Sequence, residues 1–147
     1  NTSVKFRTDV CSFCKLGFDI DLKSLSAEEY QFVKQAVSNY DLMKPVIFDG
    51  DLYRLVSPYE GNHCAINYVS KDQQRAVLFA FDLHPRYMEP LGLDPDRVYT
   101  VRETNLMPGK KSELTCDGKQ FSCDYLMKVG LSVFTPRTGN SHVLILE

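Results

Sequence analysis

Gly50-Asp51-Leu52-Tyr53-Arg54-Leu55-Val56-Ser57-Pro58-Tyr59-Glu60 and, three residues on, Cys64-Ala65-Ile66-Asn67-Tyr68-Val69-Ser70-Lys71-Asp72 decide how this chain reads. Each is a short run of aliphatic, aromatic and β-branched residues bounded by Gly, Pro, Asn or Ser, the composition of a strand between turns. Lys71-Asp72-Gln73-Gln74 then reads as a hairpin loop leading into a third run, residues 75–83. Further strands are expected at 46–48, 98–103, 131–135 and 142–146. Asp94-Pro95-Asp96 reads as a tight turn and Asp117-Gly118 as a primed hairpin turn. Several strands at this spacing without intervening helices predict a mainly β fold, an antiparallel β-sandwich.

Upstream the pattern changes. Ser26 can cap a helix, and Glu29 three residues later completes a capping box, so two orphan N–H groups are satisfied reciprocally. Tyr30, Val33, Val37 and Tyr40, with Phe32 and Ala36 beside them, recur at three- and four-residue steps, which predicts a helix over 26–42. Pro45 is expected to end it, since proline has no N–H to give. Residues 4–22 alternate apolar with small or polar side chains and read as a strand with a following loop, although Gly17 interrupts the period. A lone β-α piece is not a domain. It reads as the last unit of a parallel α/β array, with the division at 1–44 and 45–147.

Composition narrows the function classes. The net charge is −2 with both signs scattered, and no Lys/Arg run supplies a nucleic-acid or anionic-membrane footprint. The apolar run at 77–81 is far too short to cross a bilayer. The chain opens on polar Asn1-Thr2-Ser3 without an initiator Met or a signal-peptide pattern, and reads as a piece of a longer protein of unknown compartment. Five cysteines form no even disulfide framework, so reduced thiols are expected.

Nearly the whole chain resembles the C-terminal region of glycoside hydrolase family 36 α-galactosidases. The residues that carry the resemblance begin with Phe6-Arg7-Thr8-Asp9-Val10 through Lys15-Leu16-Gly17-Phe18-Asp19-Ile20, which looks like the last barrel strand and its exit, with Asp9 and Asp19 bracketing it. They continue with the Gly50–Leu55 run with Ser57-Pro58, Tyr68-Val69-Ser70, and Leu91-Gly92-Leu93-Asp94-Pro95. Tyr99-Thr100-Val101-Arg102-Glu103 and the closing Asp124-Tyr125-Leu126-Met127-Lys128-Val129-Gly130-Leu131 complete them. Cys14 and Cys123 stand where the family commonly has Gly. The resemblance implies that residues 1–44 are the last strand and helix of a catalytic (β/α)8 barrel and that 45–147 are the terminal antiparallel sandwich. It implies a parent that hydrolyses terminal α-linked galactose with retention, with no cofactor and no metal. The family's catalytic Lys-x-Asp motif and its glycine-rich acid/base loop are missing from this sequence. Retaining glycosidases need two carboxylates about 5–5.5 Å apart, and no residue of this chain is nominated as catalytic. The expected partners are the chain's own upstream barrel and the α-galactoside that the parent binds.

The residues themselves offer other chemistry. Cys11-Ser12-Phe13-Cys14 is a C-x-x-C that could serve as a redox pair or half a zinc site, but it lacks two further ligands at close spacing. His63, His84 and His142 have no nucleophile at motif spacing, and a Cys64–His142 pair could form only through the fold. Tyr59, Tyr87 and Tyr125 sit in expected loops and could stack on a sugar, the basis of an alternative reading as a stand-alone carbohydrate-binding sandwich. A parent acting on α-linked N-acetylgalactosamine is a further alternative. The apolar sides of 4–10 and 26–42 are expected either to fold onto the sandwich or to bring copies together as a homo-oligomer.

Overall fold

The computed structural model describes residues 2–61, 63–82, 87–133 and 140–147. Two helices, α1 (Val4–Ser12) and α2 (Ala27–Asp49), precede the strands β1 (Asp51–Val56), β2 (Cys64–Val69) and β3 (Ala76–Phe81). There follow β4 (Tyr87–Met88), β5 (Val98–Thr104), β6 (Gln120–Ser122), α3 (Cys123–Lys128), β7 (Leu131–Ser132) and β8 (Ser141–Leu146). Six strands form one sheet in the order β1-β2-β3-β8-β5-β6, and every pairing is antiparallel. β4 and β7 make a separate two-stranded ribbon.

Period-two alternation divides the core between the two faces of the large sheet. Val77, Phe79 and Phe81 of β3, with Val143 of β8 and Ile66 of β2, meet Tyr40, Met43, Val46 and Ile47 of α2. The alternate residues Ala76, Leu78, Ala80, Leu144 and Leu146 meet Met88, Leu93, Leu126 and Leu131. So the sandwich expected from the sequence is antiparallel, but its second layer is the short β4–β7 ribbon with α3 and the loops around them. Two polar devices tie that layer on. Buried Asn67 brackets the backbone of Leu91, donating to its carbonyl at 3.0 Å and accepting from its N–H at 3.1 Å. The Tyr99 hydroxyl donates to the Gln73 carbonyl (2.6 Å) and accepts from Asp94 N–H (3.0 Å).

The 71–74 hairpin loop and the 94–96 turn form as expected, closed by the hydrogen bonds Ser70 N–H to Arg75 O and Arg97 N–H to Asp94 O. Asp117-Gly118 does turn, with Gly118 at φ 74°, but it lies at the entry to β6 and does not directly join two strands.

Three readings need correction. Residues 4–12 are helical, not a strand. Phe6, Val10 and Phe13 follow a helical step and pack toward Phe79 and Phe81, and the Ser3 hydroxyl caps the helix by accepting from Phe6 N–H at 3.1 Å. α2 runs through Pro45 to Asp49, so the strand expected at 46–48 is its last turn and the 44/45 division falls inside it. Burial of Met43, Val46 and Ile47 outweighs the lost N–H, since Pro45 and Asp41, whose carbonyl loses its partner, both stand on the exposed side. The third is α3, capped by Ser122, which lies where only loop was expected. Of the expected strands at 75–83 and 131–135, residues 83 and 134–135 lie outside the described residues, as does His84.

Gly130 sits at φ 84° where the chain passes from α3 into β7, and a β-carbon there would lie 2.5 Å from the Met88 carbonyl oxygen. Gly118 has a similar φ but open space around it. In urea unfolding, Gly130→Ala should cost about 3 kcal/mol, from left-handed strain plus the clash. Gly118→Ala should cost about 1 kcal/mol from strain alone.

Candidate functional site

The charged side chains most completely removed from solvent lie where α1 meets the sheet. Asp9 is wholly buried on α1. Lys5, one turn earlier on the same face, donates to Asp9 Oδ2 at 2.5 Å and to the Ser141 carbonyl at 3.0 Å. The Ser141 hydroxyl donates to the same carboxylate oxygen at 2.6 Å, and Asn105 Nδ2 donates to the other at 2.9 Å. Asn39 of α2 donates in turn to Asn105 Oδ1 at 2.9 Å. One carboxylate therefore gathers α1, β8 and the residue that follows β5, and through Asn105 it is linked to α2. Asn105 holds φ 55°, a left-handed conformation that Asn tolerates better than most residues.

Beside this clamp lies a second. His142 Nδ1 donates to Glu103 Oε1 at 2.6 Å, and the Ser112 hydroxyl donates to Glu103 Oε2. Burial alone would push the Glu103 carboxyl up. Hydrogen bonds from His142 and Ser112, then the charges of His142 and Lys5, outweigh it and hold the pKa below its ordinary value. Both clamps border a cleft of about 320 Å³ rimmed by Ser3, Lys110, Lys111 and Glu113.

What can this arrangement do chemically? A glycosidase carboxylate must reach the sugar to protonate the leaving oxygen or attack the anomeric carbon. Both oxygens of Asp9, and both of Glu103, are already held by donors from the chain itself. The two carboxylates act as structural clamps. Sequence reasoning placed Asp9 and Asp19 at the ends of a barrel strand and gave Glu103 no role. Asp19 is exposed, near Arg7 and Thr8 across a groove of about 260 Å³.

The other candidates fall apart in space. Cys64 and Ser141 flank Phe81, whereas His142 stands opposite Ala80, so Cys64 and His142 occupy different rows and opposite sheet faces with β3 between them. Burial raises the Cys64 pKa. Cys11 and Cys14 are exposed at the end of α1. Among the described residues no group of three or more His, Cys, Asp or Glu side chains is placed to hold a metal ion. Tyr59, Tyr87 and Tyr125 are exposed but stand after β1, on β4 and on α3, and the Tyr125 ring is already stacked on Phe121. No described helix is long and apolar enough to cross a membrane.

The sequence pattern of the glycosyl hydrolase family 36 C-terminal domain matches residues 63–146. The chain belongs to that family. Alpha-galactosidase 1 of Pediococcus pentosaceus is 34% identical over 105 residues, 67% of this chain and 14% of its own length. Alpha-galactosidase AgaA of Geobacillus stearothermophilus is 31% identical over 113 residues, 73% of this chain and 16% of its own. The crystal structure of the family 36 enzyme AgaA superposes with a TM-score of 0.84 at 27% identity, covering 100% of this chain and 20% of that one. A variant of AgaA solved in complex with stachyose gives the same score and coverage. The likeness to these family 36 structures therefore includes α1 and α2 as well as the sheet. The chain spans only 14–16% of the length of these curated relatives.

Two predictions follow from the clamps. Asp9→Ala would leave Lys5, Asn105 and Ser141 facing an empty acceptor site, and should lower the unfolding free energy in urea by about 3–5 kcal/mol. The Glu103 contribution to stability is fully present above pH 4.5, its ordinary pKa, and is lost as the pH falls through the lowered folded value. Urea midpoints measured down to pH 3 should therefore fall less steeply in Glu103→Gln than in the unaltered chain.

Proposed function

We propose that this chain is the C-terminal, non-catalytic region of a retaining α-galactosidase, which hydrolyses terminal α-linked galactose through a glycosyl-enzyme intermediate formed upstream. The observation that carries the reading is the superposition over the entire chain on enzymes five times longer, helices included. The internal satisfaction of Asp9 and Glu103 supports the same view: the buried carboxylates of this region serve its own fold. The similar enzymes are named as α-galactosidases, which favours galactose over N-acetylgalactosamine. The stachyose complex of AgaA favours galactosyl-sucrose oligosaccharides as the parent's substrates.

The role of the region is structural, and its partner is the upstream catalytic barrel of the same protein. Residues 15–19 belong to no helix or strand here, and Phe18 is exposed. In this reading they supply the last barrel strand, between a barrel helix α1 and the final helix α2, within the 1–44 segment. Exposed Leu22, Tyr30, Val37 and Phe48 belong to the same contact.

Hydrolysis of an aryl α-galactoside and of the corresponding α-N-acetylgalactosaminide should be measured for the longer natural protein, with this chain beside it. Turnover of the galactoside by the longer protein alone is expected. Binding of galactosides by the isolated chain, with an inactive longer protein, would favour the carbohydrate-binding alternative instead.

A further inference from the structure

Cys11 and Cys14 take no part in either clamp, and both are exposed. They bracket the end of α1. Phe13, the residue after the helix, keeps right-handed helical geometry (φ −73°, ψ −3°), and Cys14 N–H donates to Cys11 O at 3.4 Å. Residues three apart in such a turn lie on one side of the chain with α-carbons about 5 Å apart. A disulfide bridges α-carbons roughly 4.4–6.8 Å apart.

The turn is fixed from outside by groups other than the thiols. The Tyr40 hydroxyl of α2 donates to the Cys14 carbonyl at 2.7 Å, and the Tyr68 hydroxyl of β2 donates to the Phe13 carbonyl at 2.8 Å. The Phe13 ring meets Phe79 and Phe81 edge-on. The backbone is thus held in a bridging geometry while both cysteines are exposed. The remaining cysteines differ. Cys116 and Cys123 are buried, and Cys64 is partly so on β2.

We propose that Cys11 and Cys14 form a site of reversible oxidation, closing to an intramolecular disulfide by exchange with a low-molecular-weight disulfide such as oxidised glutathione. One cysteine thiolate attacks oxidised glutathione, breaking its S–S bond and releasing one glutathione thiolate. The second cysteine thiolate attacks the resulting mixed disulfide and releases the other. The two cysteines lose two protons and two electrons, and one glutathione disulfide becomes two glutathione thiols. The bridge would lock the last turn of α1 immediately before residues 15–19.

Trypsin provides the test, because cleavage after Arg7 and Lys15 places both cysteines in one peptide, residues 8–15. The chain is equilibrated in mixtures of oxidised and reduced glutathione, quenched in acid, alkylated, digested and weighed. The expected product is a peptide two hydrogens lighter than the dithiol, reverting as reduced glutathione is raised. In Cys14→Ser, a lasting glutathione adduct on Cys11 should replace it. A peptide carrying two glutathiones, a disulfide between chains, or an unchanged dithiol in oxidised glutathione alone would each overturn the proposal.

Discussion

β3 is buried on both of its faces along its whole length, and the rest of the molecule is arranged by what those two faces require. One face presents Val77, Phe79 and Phe81, and it is covered by α1 and α2. The other presents Ala76, Leu78 and Ala80 and takes the layer of α3, the β4–β7 ribbon and their loops. Full burial of a phenylalanine side chain is worth about 1.5–3 kcal/mol, so the helical face holds most strongly where its rings cluster. A register slip of one residue would exchange the two faces and set rings against the layer built for alanines. The neighbours β2 and β8 pair with every residue of β3 and fix that register from both sides.

Apolar contact is non-directional and would let α1 slide or turn on the sheet. The Asp9 clamp removes that freedom, because its donors come from fixed points on α1, β8 and the end of β5. Burying a carboxylate is costly unless each oxygen is engaged, and here each is. The clamp therefore contributes to uniqueness of arrangement more than to net stability.

Legibility in the sequence followed the range of the interactions. The Ser26–Glu29 capping box appears as drawn, with Glu29 N–H to Ser26 Oγ at 3.2 Å and Ser26 N–H to Glu29 Oε2 at 2.9 Å, because every partner lies within one turn. The strands around 51–57, 64–70 and 98–103 were legible from apolar runs and the turns that bound them. α1 was not: Val4 and Phe6 mimic alternation, and the helical spacing of Phe6, Val10 and Phe13 acquires meaning only once the Phe79–Phe81 surface exists. Asp9 lies 96 residues from Asn105 and 132 from Ser141, and Glu103 lies 39 from His142. No local pattern records contacts of that separation. The family resemblance draws on residues such as Gly92 and Gly130, whose left-handed backbones and crowded surroundings belong to the whole fold, but at residues 6–10 it gave the same strand that periodicity did.

α2 ties the segment before the sheet to the sheet itself. At 23 residues it is about 34 Å long, whereas a six-residue strand spans about 20 Å. The helix therefore overhangs the sheet. Its C-terminal half lays Met43, Val46 and Ile47 on the strands, while Phe32, Val33 and Ala36 of the N-terminal half pack with Val4, Ile20, Leu25 and Met107. A helix broken at Pro45 would keep Tyr40 and Met43 on the same piece as Phe32, Val33 and Ala36, and would cut off only Val46 and Ile47, in its last turn. Continuity through Pro45 thus adds Val46 and Ile47 to the contact that Tyr40 and Met43 make with the sheet. Along the exposed side, Tyr30, Val37 and Phe48 alternate with Lys34, Asp41 and Lys44 at three- and four-residue steps. Charges spaced between apolar side chains keep that face compatible with water, with Lys44 paired to Asp41 at 3.2 Å and Lys34 set over the Tyr30 ring.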